Sequence, residues 1–273
     1  MKDLVGKKGV QLNGFLGIYL LAVFMIWMKT YLTQLTQFEL GVEGTLQQIL
    51  LLINPLGSAL LFLSVAFLFR GKRKMSMLLM VYTLMSFLLF ANVVYYRFFS
   101  DFITLPTIYQ TQNFGDLGGS ILALFRPWDI LYFVDVALLM YVRIAKKQQL
   151  KLAKTGFVMP VVAVAFALMI SSTNLYLAEE DRPDLLVRGF DRSYIVKYLG
   201  MYNYAIYDSI KTAEASSERA LADSSDVTEI INYTKSNHAD PNPAYFGLAK
   251  DMNVIYLHLE SMQTFLMDYE LHG

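Results

Sequence analysis

Five long apolar stretches constrain the fold of this 273-residue chain more than any other feature. The hydrocarbon core of a bilayer is about 30 Å thick, and a helix needs about 20 apolar residues to cross it. Only a helix satisfies its backbone polar groups within such a segment. We therefore predict five transmembrane helices, at residues 15–32, 46–69, 75–96, 128–144 and 157–177. Residues 1–177 are expected to form an all-α polytopic membrane domain.

The composition supports this prediction and excludes several classes of protein. Hydrophobic residues make up 55% of the chain and charged residues only 17%, whereas soluble domains carry roughly a quarter charged residues. The chain has no cysteine, which excludes disulfides, zinc–thiolate sites and thiol catalysis. It shows no basic face on a soluble body, so we expect no nucleic-acid partner.

The basic residues between the spans predict the orientation of the chain. Twelve of them lie before the first span, after the second and after the fourth: Lys2, Lys7, Lys8, Arg70, Lys72, Arg73, Lys74, Arg143, Lys146, Lys147, Lys151 and Lys154. The other loops hold only Lys29, Arg97 and Arg126. Because basic loops stay in the cytoplasm, we predict a cytoplasmic amino terminus, with residues 178–273 outside the cell.

Two polar features lie within the predicted spans. Asp135 is in the fourth span, where an ionised carboxylate costs roughly 2.5–3.5 kcal/mol. It either binds a lipid headgroup, relays a proton or makes a structural hydrogen bond to a neighbouring helix. Asn54-Pro55 interrupts the second span, and since proline cannot donate to the helix, the pair predicts a kink or a re-entrant bend. A single ionisable group argues against a coupled transporter.

The connection from Phe98 to Pro127 is too polar to span a membrane, yet it is rich in aromatic and aliphatic residues. We expect it to fold back onto the membrane interface. There it either shapes a groove for lipid entry or only packs over the bundle.

Residues 178–226 are predicted to be a juxtamembrane amphipathic helix and a linker. Aromatic and basic residues recur at helical spacing between Arg182 and Ile210, a pattern typical of a helix on a membrane surface. Arg188 and Arg192, four residues apart, either clamp a phosphate or meet ordinary anionic headgroups. Residues 211–226 have linker composition, and Ala220-Leu221-Ala222 matches the A-x-A pattern cut by signal peptidase.

Residues 227–273 are predicted to begin an α/β domain. Asn253 to Leu259 is a short apolar run rich in strand formers, followed by a helical pattern from Met262 to Leu271. Glu260 stands at the carboxyl end of the predicted strand, where open α/β sheets bind their ligands. This position suits a catalytic metal ligand.

Two segments, Asp191–Asp208 and Asn253–Asp268, together with the five spans and the alanine-rich linker, closely resemble the lipoteichoic acid synthase family of Gram-positive bacteria. The resemblance implies a membrane-anchored glycerophosphotransferase with an extracellular sulfatase-like domain of the alkaline-phosphatase type. Its substrates would be phosphatidylglycerol and a lipoteichoic acid chain on a glycolipid anchor. The resemblance also implies that Glu260 is a ligand of catalytic Mn²⁺ or Mg²⁺, and that signal peptidase cleaves near Ala222.

The family's threonine nucleophile is expected beyond Gly273. We therefore expect this chain to be the amino-terminal part of a phosphoglycerol transferase of the cell membrane, inactive by itself, with the catalytic domain incomplete. One alternative is a primase that adds the first glycerol phosphate to the glycolipid; a phosphoethanolamine transferase is more distant. Another is a non-enzymatic, five-helix lipid-handling or scaffold protein. The sequence leaves the oligomeric state and any regulation by cleavage open.

Overall fold

The computed structural model describes residues 14–109, 124–145, 158–187, 191–221, 224–238 and 242–258, and the regular secondary structure in these ranges is entirely helical. The helices are α1 (Gly14–Gln37), α2 (Gly44–Ser64), α3 (Lys72–Phe99), α4 (Leu105–Tyr109), α5 (Leu131–Ala145), α6 (Val158–Asp181), α7 (Arg192–Leu199), α8 (Met201–Leu221) and α9 (Ser224–Ser236). Short 3₁₀ segments, Val65–Leu68 and Pro127–Ile130, follow α2 and precede α5.

Four helices are long and apolar enough to cross a bilayer: Gly14–Gln37, Gly44–Leu68, Arg73–Phe99 and Val158–Asp181. They coincide with the first, second, third and fifth predicted spans and confirm that these stretches are long apolar helices. The fourth predicted span, residues 128–144, is helical as well, but α5 has only 15 residues in the described part of the chain. Its passage through the membrane stays a prediction.

The outward-facing surface of the bundle is apolar, as a lipid-facing surface must be. Helix α6 buries only Ala167, Asn174 and Ala178. Large apolar side chains such as Phe166 and Met169 on the same helix are exposed. A soluble protein rarely leaves so extended an apolar surface uncovered, so the chain is a membrane protein.

The basic end of the bundle, which we define by Arg70, Lys74 and Arg143, brings together the start of α1, the end of α2, the start of α3 and the end of α5. Lys74 Nζ lies 4.3 Å from the centre of the Phe15 ring. Arg143 Nη2 donates to Ser76 Oγ at 2.9 Å. Adjacent spans therefore run antiparallel, with their basic residues gathered at one end.

The junction end, which we define by Gln37, Arg97 and Asp181, is the opposite end of the same helices. Arg97 Nη2 donates to Gln37 Oε1 at 3.1 Å, which joins the ends of α1 and α3. Gln47 Nε2 donates to Asp181 Oδ2 at 3.1 Å, which joins the start of α2 to the end of α6.

The predicted break at Asn54-Pro55 does not take the form of a re-entrant bend. Helix α2 runs from Gly44 to Ser64 with Pro55 inside it. Close packing continues just beyond this point, since a Cβ added at Gly57 would lie 3.0 Å from Ser171 Oγ on α6. The polar Asn54 side chain instead hydrogen-bonds the backbone of α7.

The chain divides into two compact units, residues 1–218 and residues 219–273. Residues 211–221, predicted to be linker, continue α8 as helix. In the second unit, α9 is followed by turns and then by residues 253–258, which form no strand within the ranges described. The predicted strand is thus not confirmed, and Leu259, Glu260 and the helix predicted at 262–271 lie outside the described residues.

Candidate functional site

The segment predicted to lie along the membrane surface is instead packed into the bundle. It forms two helices, α7 and α8, separated by Gly200. Nine residues between 191 and 210 are buried: Ile195, Val196, Lys197, Tyr198, Leu199, Gly200, Met201, Tyr202 and Tyr204. The predicted surface location is therefore wrong for this stretch, which we call the junction hairpin (residues 191–210).

Two asparagines on neighbouring spans hold the carboxyl end of α7. Asn54 Nδ2 of α2 donates to the Lys197 carbonyl at 3.1 Å, and Asn174 Nδ2 of α6 donates to the Tyr198 carbonyl at 2.9 Å. The last carbonyls of a helix have no partner within it, so these bonds satisfy groups that would otherwise be buried unpaired. At the other end of α7, the Asp191 side chain accepts from the Ser193 amide at 2.9 Å as an N-cap.

Gly200 makes the turn between the two helices at a positive φ of 81°. A side chain there would be strained by the backbone conformation. It would also collide with the bundle, because an added Cβ would lie 2.7 Å from Asn54 Cβ. Both the positive φ and the close approach of Asn54 therefore require glycine at the tip of the junction hairpin.

The residues after this turn contact the middle of the first three spans. Tyr202 Oη donates to the Met85 carbonyl at 3.0 Å and accepts from Thr30 Oγ1 at 3.4 Å. Ser58 Oγ donates to Asn203 Oδ1 at 3.1 Å. Non-helical backbone at such depth is tolerated only where protein surrounds it, and these contacts provide that surrounding.

The rest of the junction hairpin is fastened at the junction end. Tyr198 Oη donates to Asp181 Oδ2 at 2.6 Å, and Lys197 Nζ donates to the Gly41 carbonyl at 3.0 Å. Burial lowers the pKa of the Lys197 ammonium. On the return helix, Asp208 Oδ2 accepts from the Leu105 amide at 2.6 Å. The chain thus enters and leaves the bundle on one side.

A second feature of the junction end is an open groove of about 730 Å³ between α1, α5 and the end of α3. We call it the lateral groove. Its walls are mostly apolar, and its polar side chains include Lys29, Gln37, Arg97, Arg126, Asp129 and Asp135.

Asp135 lies in the lateral groove and is fully engaged with its neighbours. Lys29 Nζ is 2.7 Å from Asp135 Oδ2, and Tyr82 Oη donates to the same oxygen at 2.5 Å. Lys29 also donates to Ser86 Oγ at 2.7 Å and to the Tyr132 carbonyl at 3.0 Å. Among the alternatives drawn from the sequence, this geometry favours a structural contact between helices.

Arg97 and Asp129 form a second ion pair nearer the junction end. Both guanidinium Nη atoms lie 2.8 Å from a carboxylate oxygen, in the bidentate arrangement. Arg97 Nη1 also donates to the Leu124 carbonyl at 3.2 Å, and the Arg126 amide donates to Asp129 Oδ2 at 2.8 Å. These bonds fix the 3₁₀ turn before α5 to the end of α3.

The remaining predicted site residues are only partly described. Arg192 begins α7 and pairs with Asp101, while Arg188 lies outside the described residues, so the proposed clamp stays untested. Ala220 is exposed in the last turn of α8, and Ala222 is outside the described ranges. Glu260 also lies outside the described ranges. Within the described ranges no group of three or more acidic or histidine side chains could hold a metal ion.

Comparison with known proteins identifies the family. Residues 1–221 match the profile described as "Lipoteichoic acid synthase N-terminal domain". The chain belongs to the lipoteichoic acid synthase family. This confirms the resemblance drawn from its sequence, and it places the bundle and the junction hairpin within the family's amino-terminal domain.

Curated members of the lipoteichoic acid synthase family match along nearly the whole chain. Lipoteichoic acid synthase 2 of Bacillus subtilis is 46% identical over all of this chain and 41% of its own length. Lipoteichoic acid synthase 1 of the same organism is 47% identical over 94% of this chain and 40% of its own. The Staphylococcus aureus lipoteichoic acid synthase is 44% identical over 98% of this chain and 41% of its own length. The chain thus spans about two fifths of these relatives, and no solved structure matches it significantly.

Sequence reasoning missed Lys29 and Asn54 as functional positions. The count of basic residues assigns Lys29 to an outer loop, at the end of the first predicted span. In the structure Lys29 lies within α1 and forms an ion pair with Asp135, which is distant in the sequence. Asn54, next to Pro55, has the sequence signature of a helix break. The residue type alone could have indicated this contact, because an asparagine side chain in the middle of an apolar span needs a hydrogen-bond partner.

Substituting Gly200 with alanine should weaken the junction hairpin more than the same change at Gly41. Both glycines have positive φ, but an added Cβ meets nothing within 4 Å at Gly41. At Gly200 we expect about 1–3 kcal/mol of backbone strain, because its φ of 81° and ψ of 156° lie in a region essentially confined to glycine. A further ~1–3 kcal/mol of overpacking applies to Gly200 and not to Gly41. Unfolding of the full-length protein in mixed micelles measures the difference. Equal effects would show that Asn54 does not contact Gly200.

Replacing Asp135 with asparagine should lower the free energy of unfolding by about 3–5 kcal/mol, because it leaves Lys29 buried without its partner. The double change Lys29→Met with Asp135→Leu should recover most of this loss. Glu214→Gln is the matched control, since the Lys211–Glu214 pair is 53% exposed on both sides and water screens it, so its loss should have little effect on stability. A loss at Asp135 no larger than the control would contradict a structural role for the pair.

Proposed function

We propose that this chain is the membrane-anchoring, amino-terminal part of a phosphoglycerol transferase that moves glycerol phosphate from phosphatidylglycerol to a growing lipoteichoic acid chain. The observation that carries the proposal is the family match over residues 1–221, joined by relatives named as lipoteichoic acid synthases. The four spans and the junction hairpin supply what such an enzyme needs from this part: an anchor with a defined exit point.

The proposed topology has five spans, a cytoplasmic amino terminus and an extracellular continuation after the junction hairpin. Asp129 at one end and Arg143 at the other contact opposite ends of α3. The helical stretch from Pro127 to Ala145 therefore runs along that span for about 30 Å, using 1.5 Å per α-helical and 2.0 Å per 3₁₀ residue. This length supports a fifth crossing. The gathering of basic residues at the end opposite the junction hairpin supports the orientation.

Anchoring serves the proposed reaction because the lipid donor is confined to the same membrane. A catalytic part tethered at the bilayer surface meets this donor at a high effective concentration. The junction hairpin would strengthen this effect, since its contacts with Asn54, Asn174 and Met85 set where the following polypeptide starts relative to the bilayer.

For the chemistry, we propose that Glu260 contributes one ligand to a catalytic Mn²⁺ or Mg²⁺. A carboxylate oxygen is a suitable donor for either hard ion. The nucleophilic threonine of this proposal lies beyond Gly273. Cleavage by signal peptidase at Ala220-Leu221-Ala222 would release the extracellular part. The exposure of Ala220 supports it, and the helical last turn would have to open first.

The full-length protein should make long glycerol phosphate polymers in phosphatidylglycerol vesicles supplied with Mn²⁺ and glycolipid anchor. Glu260→Ala should reduce polymer formation about a hundredfold or more, since loss of even an outer-shell partner costs 10–100-fold in metal sites. Glu229→Ala, an exposed carboxylate on α9, is the matched control and should leave the rate unchanged.

Product length and the Glu260 variant separate the alternatives in this assay. Addition of a single glycerol phosphate would identify a primase instead of a polymerising synthase. Full activity of Glu260→Ala would contradict the metal-ligand assignment. Absence of any transfer by the intact protein would contradict the proposed function as a whole.

A further inference from the structure

The lateral groove has the dimensions of one bilayer leaflet. Along α1 it reaches from Phe24 to Gln37, a rise of about 20 Å at 1.5 Å per residue. Half of a hydrocarbon core about 30 Å thick is about 15 Å. The groove therefore covers one leaflet and part of its headgroup layer, on the side of the junction end.

The wall of the lateral groove is apolar and open to its surroundings. Phe24 and Leu32 on α1 and Leu131 and Val134 on α5 line it, each between 50% and 60% exposed. Trp128, 76% exposed, stands near its outer end, and tryptophan favours the headgroup layer of a membrane. Such a wall suits a hydrocarbon chain and excludes a free, water-soluble anion as the main occupant.

The charged groups of the groove favour an anionic occupant. Three basic side chains, Lys29, Arg97 and Arg126, face two acidic ones, Asp129 and Asp135, so the lining carries one net positive charge. Lys29 and Arg97 are ion-paired with Asp135 and Asp129. Arg126 is exposed and forms no ion pair with a described residue, although its charge also attracts Asp129 through space. In addition, Arg97 Nε is buried and has no acceptor within the described ranges. Both arginines lie at the headgroup end.

We propose that the lateral groove binds one anionic glycerophospholipid, with an acyl chain along the apolar wall and its phosphodiester beside Arg126. Guanidinium groups bind phosphate oxygens through charge-assisted hydrogen bonds. The assignment rests on the proposed function for the leaflet in which the groove opens and for phosphatidylglycerol as the donor. Bound there, a donor lipid would wait next to the junction end, where the extracellular part begins.

The test is native mass spectrometry of the full-length protein, extracted from nanodiscs that contain equal amounts of phosphatidylglycerol and phosphatidylcholine with matched acyl chains. The wild-type protein should retain phosphatidylglycerol preferentially. Arg126→Gln should reduce this preference about tenfold, the effect of losing one charge-assisted contact. Val134→Trp should fill the wall and reduce retention of both lipids.

Two control variants make the readout specific to the groove. Arg70→Gln removes an exposed arginine at the basic end, and Met169→Trp enlarges a lipid-facing residue on α6 that is 63% exposed. Both should retain phosphatidylglycerol like the wild type, and all four variants should keep the wild-type unfolding temperature. Equal retention of the two lipids by the wild type, or equal losses in controls and groove variants, would reduce the bound lipid to non-specific annular lipid and overturn the proposal.

Lipid retention is measured without any transfer reaction, so the two proposals fail separately. Selective retention by a protein that transfers no glycerol phosphate would overturn the proposed function alone. Transfer by a protein with unselective retention would overturn the lateral groove as a lipid site alone.

Discussion

The structure depends on the need to satisfy every backbone polar group that enters the bundle. The junction hairpin ends one helix and starts another in the middle of a set of spanning helices, where an unpaired carbonyl costs several kcal/mol. Asn54 and Asn174 remove this cost by donating to the last carbonyls of α7. Gly200 lets the backbone turn within contact distance of Asn54. The amide pair and the glycine therefore allow an otherwise surface-type sequence to be buried.

The same requirement organises the charges. Lys29 and Asp135 neutralise each other across α1 and α5, and Arg97 and Asp129 do so across α3 and the turn before α5. Helix α5 is thereby attached to the bundle by ion pairs at two depths, and the lateral groove opens beside them. With its spans and its junction hairpin fixed in this way, the amino-terminal domain of this lipoteichoic acid synthase family member is suited to act as a membrane anchor.

Length and apolarity alone were sufficient to predict four spans, because these properties are local and a bilayer demands both. The burial of the junction hairpin could not be predicted, since tyrosines at helical spacing look the same in a surface helix and in a packed one. The hydrogen bonds that decide between the two come from Asn54 and Asn174, distant in sequence. Ion pairs such as Lys29–Asp135 are equally non-local. The metal-ligand role of Glu260 stays a prediction, because that residue lies outside the described ranges.

The most direct test of the buried junction hairpin is disulfide formation between Ser58→Cys and Asn203→Cys, whose native side chains are hydrogen-bonded at 3.1 Å. The chain has no cysteine of its own; in the full-length protein, any cysteine beyond Gly273 is first replaced by serine. The Ser58→Cys/Asn203→Cys pair should cross-link in native membranes under mild oxidation. The control pair Ser58→Cys/Ser209→Cys should not, because Ser209 lies six residues further along α8 than Asn203. No cross-link at Asn203, combined with its rapid labelling by a membrane-impermeant maleimide, would contradict the account and return this segment to the membrane surface.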